Sequence, residues 1–187
     1  MVILGIDPGS ITTGFAFIEK TNCSLEVLEY GTIHVPASKA LEDRLLHIIL
    51  ELEALLDRYK PNSLSMEGVF FAKNAKSALV LGHIRGAVLV ACRKRGMTYN
   101  EYSPRVVKQA VAGSGAASKE QVANMVFARL GIEGDHLPLD ASDALAIAWT
   151  HANPAPLAGL KKRKVSKKAS VEQWKKLVER MGGSING

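Results

Sequence analysis

The chain has 187 residues, 47% hydrophobic and 22% charged, enough for one globular domain with a real core and no need of disulfide staples. Its net charge of +6 is uneven: residues 155 to 187 hold nine Lys/Arg against two Glu, a net of +7, which leaves the rest near −1. The body is therefore not a uniformly basic nucleic-acid binder, and any such contact must come from local clusters, with the tail a separate electrostatic object.

Residues 2 to 7 form an almost continuous apolar run closed by Pro8-Gly9, the pattern of a central strand covered on both faces. Residues 14 to 19 and 25 to 35 read as two more strands with Thr21-Asn22 between them, so the first three strands should pair as antiparallel hairpins. After Ser38, apolar residues from Leu41 to Leu56 recur at helical spacing until Pro61, predicting a helix of about 20 residues, roughly 30 Å long. A short strand follows at 63 to 67, a helix at about 75 to 95 and a fifth strand at 97 to 102. Helices are then expected at about 104 to 112, at 119 to 130 behind the capping box Ser118-x-x-Gln121, and at about 140 to 152. Helical crossovers between the later strands imply parallel pairing. The fold class is α/β, a five-stranded mixed sheet with helices on both faces.

No basic segment followed by a long apolar stretch opens the chain, and the apolar runs fall short of the roughly 20 residues that span a bilayer, so no membrane is expected as a partner. Cys23 and Cys92 fit no metal or redox spacing and suit a reducing compartment, the cytoplasm.

Four acids stand out. Asp7 and Glu67 each end a strand, where ligands gather in open α/β sheets. Asp140 and Asp143, three apart in LDASDALAIAWTH, share a face in the first turn of the last helix. Capping is a competing role for Asp140, but not for Asp143 beside Leu145, Ile147 and Ala148. Four carboxylates brought together repel unless a cation lies between them. An all-oxygen set suits Mg²⁺ or Mn²⁺, and two such ions promote attack of water on a phosphodiester.

The stretches GIDPGSITTG, MEGVFFAKNAKSALVLGHIRGA, VKQAVAGSGAASKEQV and DASDALAIAWTH, in that order, resemble the RuvC family of Holliday-junction resolvases over about residues 1 to 152. The resemblance implies an RNase H-like fold for a nuclease domain at 1 to 153. It also implies a homodimer, Mg²⁺ with Mn²⁺ able to substitute, and paired symmetric nicks in a four-way DNA junction during recombination and repair. Cooperation with the RuvA-RuvB branch-migration complex is implied as well. By position, Asp7, Glu67, Asp140 and Asp143 match the family's catalytic and metal-binding acids. Phe70 matches a position implicated in stacking on bases, while Lys108 and Lys119 match basic residues beside the acids, with Lys73 and Arg105 near them in sequence. Gly68 departs from the polar residue more usual next to the catalytic glutamate.

Other features allow two readings each. Phe71 suits a core position better than Phe70 does. Gly82 and Gly86, four apart on one helical face, serve either packing on the helix's own sheet or a partner helix. His136 beside Pro138 reads as a surface or hydrogen-bonding residue. Residues 154 to 187 form a basic tail, with the run KKRKVSKK and then Ser170-x-x-Gln173 opening a short amphipathic helix that carries Val171, Trp174, Leu177, Val178 and Met181.

Two further functional classes remain open on residues alone. DPGSITTG also resembles the phosphate-gripping hairpin of actin- and sugar-kinase-like ATPases, but those need roughly twice this chain and a second phosphate loop. A junction-binding protein without chemistry would leave the four acids without a purpose.

Overall fold

The computed structural model describes residues 1–68, 75–132 and 138–153. Phe70, Phe71, Lys73, His136 and the tail from residue 154 lie outside the described residues.

Among the described residues five strands, β1 (Val2–Asp7), β2 (Thr12–Lys20), β3 (Leu25–His34), β4 (Ser63–Glu67) and β5 (Thr98–Tyr102), form one sheet in the order β3-β2-β1-β4-β5. β1, β2 and β3 pair antiparallel, whereas β1 with β4 and β4 with β5 pair parallel, as the hairpin and crossover spacings predict. β2 begins two residues earlier than expected because Thr12 and Thr13 pair with His34 and Ile33.

Among the described residues five helices flank the sheet: α1 (Leu41–Tyr59), α2 (Ala75–Lys94), α3 (Pro104–Ala112), α4 (Lys119–Leu130) and α5 (Leu139–Ala152). α1 and α2 cover one sheet face, with Ile48, Leu52, Leu56, Ile84, Val88 and Cys92 against Leu4, Ile6, Phe17 and Leu64. α3, α4 and α5 cover the other, where Val107, Val111, Val126, Leu145 and Ala148 meet Ile3, Ala16 and Ile18. The split follows from strand alternation: in β1 even-numbered side chains face α1 and α2, and odd-numbered ones face α5.

Local chemistry sets the helix ends. The Ser118–Gln121 capping box is formed in both directions, and Ser103 accepts from Val106 N–H with Pro104 in the first turn of α3. At the start of α5 the competing capping role of Asp140 is not taken up. Pro138 holds the cap position without any side-chain bond, so Asp140 lies inside the first turn with its carboxylate uncommitted to capping. Nor does Ser38 cap α1, which opens on Ala40 without a side-chain bond.

α2 also departs from expectation. By length and composition alone it is long and apolar enough to cross a membrane, with mean hydropathy 1.4 over its best window. The run was obscured in the sequence by interspersed Gly, His and Arg; in the fold Ile84, Val88 and Cys92 are buried on the sheet. A Cβ on Gly82 or Gly86 would meet nothing within 4 Å. These glycines therefore do not pack against their own sheet; they lie on the outward face with exposed Leu79 and Val90.

Candidate metal and nucleic-acid site

The site begins with the register of β1. Asp7 ends the strand on its α5-facing side, and its pairing partner on β2 is Gly14. A Cβ on Gly14 would fall 1.9 Å from the Asp140 carbonyl oxygen, and one on Gly5 2.2 Å from that of Ala144. Two in-strand glycines thus let the first turns of α5 lie directly on β1 and β2, which carries Asp140 and Asp143 to Asp7. Sequence reasoning missed both. An isolated glycine inside an otherwise apolar strand was the available signal.

Gly9 belongs to the β1–β2 turn. A Cβ there would meet the Thr12 carbonyl oxygen at 2.0 Å, and the Thr13 hydroxyl donates to the Gly9 carbonyl at 2.9 Å. Its missing side chain serves the β1–β2 turn itself.

Glu67 arrives on the neighbouring tip, because β4 runs parallel to β1. Gly68 N–H donates to the Tyr102 carbonyl at 2.7 Å, continuing the pairing to β5 past the acid. A Cβ at Gly68 would meet Glu101 Oε1 at 3.3 Å, so the residue that departs from the family pattern sits in a confined place.

The electrostatics reveal the clustering of the acids. Burial, then repulsion from Asp143 and Glu67, with a smaller contribution from Asp140, pushes the Asp7 carboxyl up to about 7. Glu67 is raised as well, by burial first and Asp143 second, against the opposing pull of Lys119, Lys108 and Arg85. The Lys119 ammonium donates to Asp143 Oδ2 at 2.8 Å, and this bond holds its proton above the usual lysine value despite partial burial.

A cleft of about 280 Å³ is lined by Glu67, Asp143, Lys108 and Lys119 above Val107 and Ile147. An adjoining recess of about 240 Å³ shares Glu67 and adds Asp7, Pro8, Leu81 and Arg85. A larger cavity of about 510 Å³, lined by Lys60, Asn62, Arg95 and Met97 among others, lies where β4 and β5 begin and touches none of the four acids. Among the described residues no three acid, histidine or cysteine side chains form a ready-made coordination shell. The acids are close enough to raise one another's proton affinity, and the Lys119 ammonium lies within the field of Asp143, Asp7 and Glu67. An all-oxygen set that recruits a cation in this way fits a hard divalent ion such as Mg²⁺.

Lys108 and Lys119 therefore stand with the acids as expected. Arg105 does not line either cleft; it is exposed on α3, with Cγ within 2.7 Å of where a Gly115 Cβ would lie. Its stem is packed on the loop before α4.

The family model for crossover junction endodeoxyribonuclease RuvC matches residues 3–151. The crossover junction endodeoxyribonuclease RuvC of Chloroherpeton thalassium is 44% identical over 171 residues, covering 91% of this chain and 92% of that protein. That of Moorella thermoacetica is 44% identical over 156 residues, covering 83% and 93%. The chain belongs to the RuvC family. With that family it is an endodeoxyribonuclease, and the ATPase reading falls. Thermus thermophilus RuvC solved in complex with a Holliday junction substrate superposes with TM-score 0.76 at 35% identity, over 81% of this chain and 93% of that one. The yeast mitochondrial Holliday junction resolvase Ydc2, at TM-score 0.60 and 12% identity over 96% of this chain and 83% of that one, shares the fold. The RNase H-like architecture expected of a RuvC-family chain is thereby established.

Proposed function

We propose that this RuvC-family chain resolves four-way DNA junctions by Mg²⁺-dependent hydrolysis of two symmetric phosphodiesters, with Asp7, Glu67, Asp140 and Asp143 as the metal-holding acids. The observation that carries this reading is the Asp7 carboxyl, raised to about 7 by burial and by the other three acids, because such a cluster is neutral only with protons or a cation. A pair of Mg²⁺ ions held by these acids would supply activation of water and neutralisation of charge at the scissile phosphate. The protein's part is positional. β1 and β4 present two carboxylates from a rigid sheet, and α5 brings two more over the glycines. Lys108 and Lys119, on the rim of the same cleft, grip the DNA backbone, and the N-terminus of α4 adds free N–H donors.

Two nicks related by symmetry call for two copies of the site. The outward face of α2, with Leu79, Gly82, Gly86 and Val90, and exposed Leu46 and Leu50 of α1, supplies an apolar surface for a C2 homodimer. In the cytoplasm such a dimer would act on junctions handled by a RuvA-RuvB complex.

The test uses a labelled four-way junction and linear duplex, with Mg²⁺ or EDTA, and Asp7→Asn. Expected is paired, metal-dependent nicking of the junction alone, with Asp7→Asn binding without cutting. Cutting that survives Asp7→Asn, or equal cutting of duplex, overturns the assignment.

A further inference from the structure

The middle of α2 is apolar except for exposed His83 and for Arg85, whose side chain is only 12% exposed. A guanidinium so placed is tolerated only when its donors are used. Here one nitrogen donates to the backbone carbonyl of Glu67, and the other to the Tyr99 hydroxyl at 3.2 Å and to Glu101 Oε1 at 3.0 Å. The fork joins the last residue of β4 to two residues of β5 and ties both to a helix packed on the sheet. Glu101 already supplies the counter-charge. The bond to the Glu67 carbonyl adds a constraint at the one residue of β4 whose side chain enters the acid cluster.

We infer that Arg85 is a positioning residue for Glu67. It fixes the peptide at the tip of β4, and with it the direction in which the Glu67 carboxylate leaves the strand. This rests on the reading of Glu67 as a metal-holding acid, because a carboxylate free to swing would share an ion with Asp7 less often. Outer partners that orient a ligating carboxylate commonly change metal affinity or activity 10- to 100-fold when removed, although they touch neither metal nor substrate. The planar fork also predicts that lysine replaces Arg85 only in part: one ammonium lacks the fixed fork that spans both the carbonyl and Glu101.

Arg85→Gln, Arg85→Lys and Glu101→Gln are compared with wild type in the full chain by three measurements: Mn²⁺ binding by calorimetry, single-turnover junction nicking at saturating protein, and junction affinity in EDTA. Arg85→Gln is expected to weaken Mn²⁺ binding and slow nicking by about 10- to 100-fold with junction affinity unchanged. Arg85→Lys should recover part of both, and Glu101→Gln should lie between wild type and Arg85→Gln. Wild-type Mn²⁺ binding in Arg85→Gln, or a nicking loss matched by an equal loss of junction affinity, overturns the proposal. If Arg85→Gln does not fold, Arg85→Lys and Glu101→Gln decide by the same criteria. Glu67→Gln runs alongside: should it bind Mn²⁺ and nick like wild type, the role of Glu67 itself fails, an outcome distinct from any failure at Arg85.

Discussion

The Lys119 ammonium lies 2.8 Å from Asp143 Oδ2 and holds the place of a cation in the acid cluster. It lowers the proton affinity of both Asp7 and Glu67, so it stabilises the charged form of acids it does not directly bond. Lysine and a divalent ion then compete for the same field. Lys119→Met should bind Mn²⁺ several-fold more tightly in the absence of DNA, about 1 kcal/mol, since no tethered cation must be displaced. The same variant should bind the junction more weakly, with a log–log salt slope shallower by about 0.9. Calorimetry and a salt series of junction binding check the two directions; weaker Mn²⁺ binding would show that Lys119 supports the ion instead.

The raised Asp7 carboxyl makes metal-free stability depend on pH. An aspartate with an ordinary value of 3.8 when unfolded and about 7 when folded takes up a proton on folding between those values. Its contribution is fully present below about pH 4 and is lost as pH rises through 7, a change of at most about 4 kcal/mol. Glu67, also raised, acts in the same sense. In EDTA, urea melts should show stability falling from pH 5 to pH 8, and Asp7→Asn should be the more stable protein at pH 8. Saturating Mg²⁺ should flatten the profile, because the ion takes over from the proton.

The four acids were legible because each carries a local signal: two close short strands just before Pro8-Gly9 or Gly68, and two share a helical turn. What the sequence concealed was contact between distant elements. Gly5 and Gly14 look like weak points in strands until α5 is laid across them, and Arg85 looks like an ordinary helix residue until β4 and β5 close around it. Of the two readings of Asp140, capping is excluded for a local reason, since Pro138, two residues earlier, opens the helix with its fixed φ. Gly82 and Gly86 were ambiguous because helical spacing identifies a face but not which way it points.

The close approach of α5 predicts a sharp cost for the smallest substitution at Gly14. A methyl 1.9 Å from the Asp140 carbonyl cannot be accommodated without moving the backbone of α5's first turn. Gly14→Ala should lose about 2 to 3 kcal/mol in denaturant melts. Nicking should fall much further than the loss of folded protein accounts for, because the displaced turn carries two of the four acids. A variant that melts early yet cuts at the wild-type rate per folded molecule would show that the acids tolerate the shift.

Alanine at Gly82 and Gly86 should behave in the opposite way within one copy of the chain. Nothing lies within 4 Å of either new methyl, and each removes glycine's helix penalty of about 1 kcal/mol. A chain that works alone should therefore melt higher in the double alanine variant and keep its activity. If the outward face of α2 is covered by a second copy, the methyls instead hold two helices apart. The expected result is a shift toward monomer in sedimentation at micromolar protein. Charges at the exposed positions, Leu79→Lys with Val90→Lys, should complete that shift without unfolding the body, since both side chains already lie in solvent at 66% and 59% exposure. Nicks in the junction should then become slow and uncoupled, one strand at a time. A double lysine variant that stays dimeric would place the interface on another face.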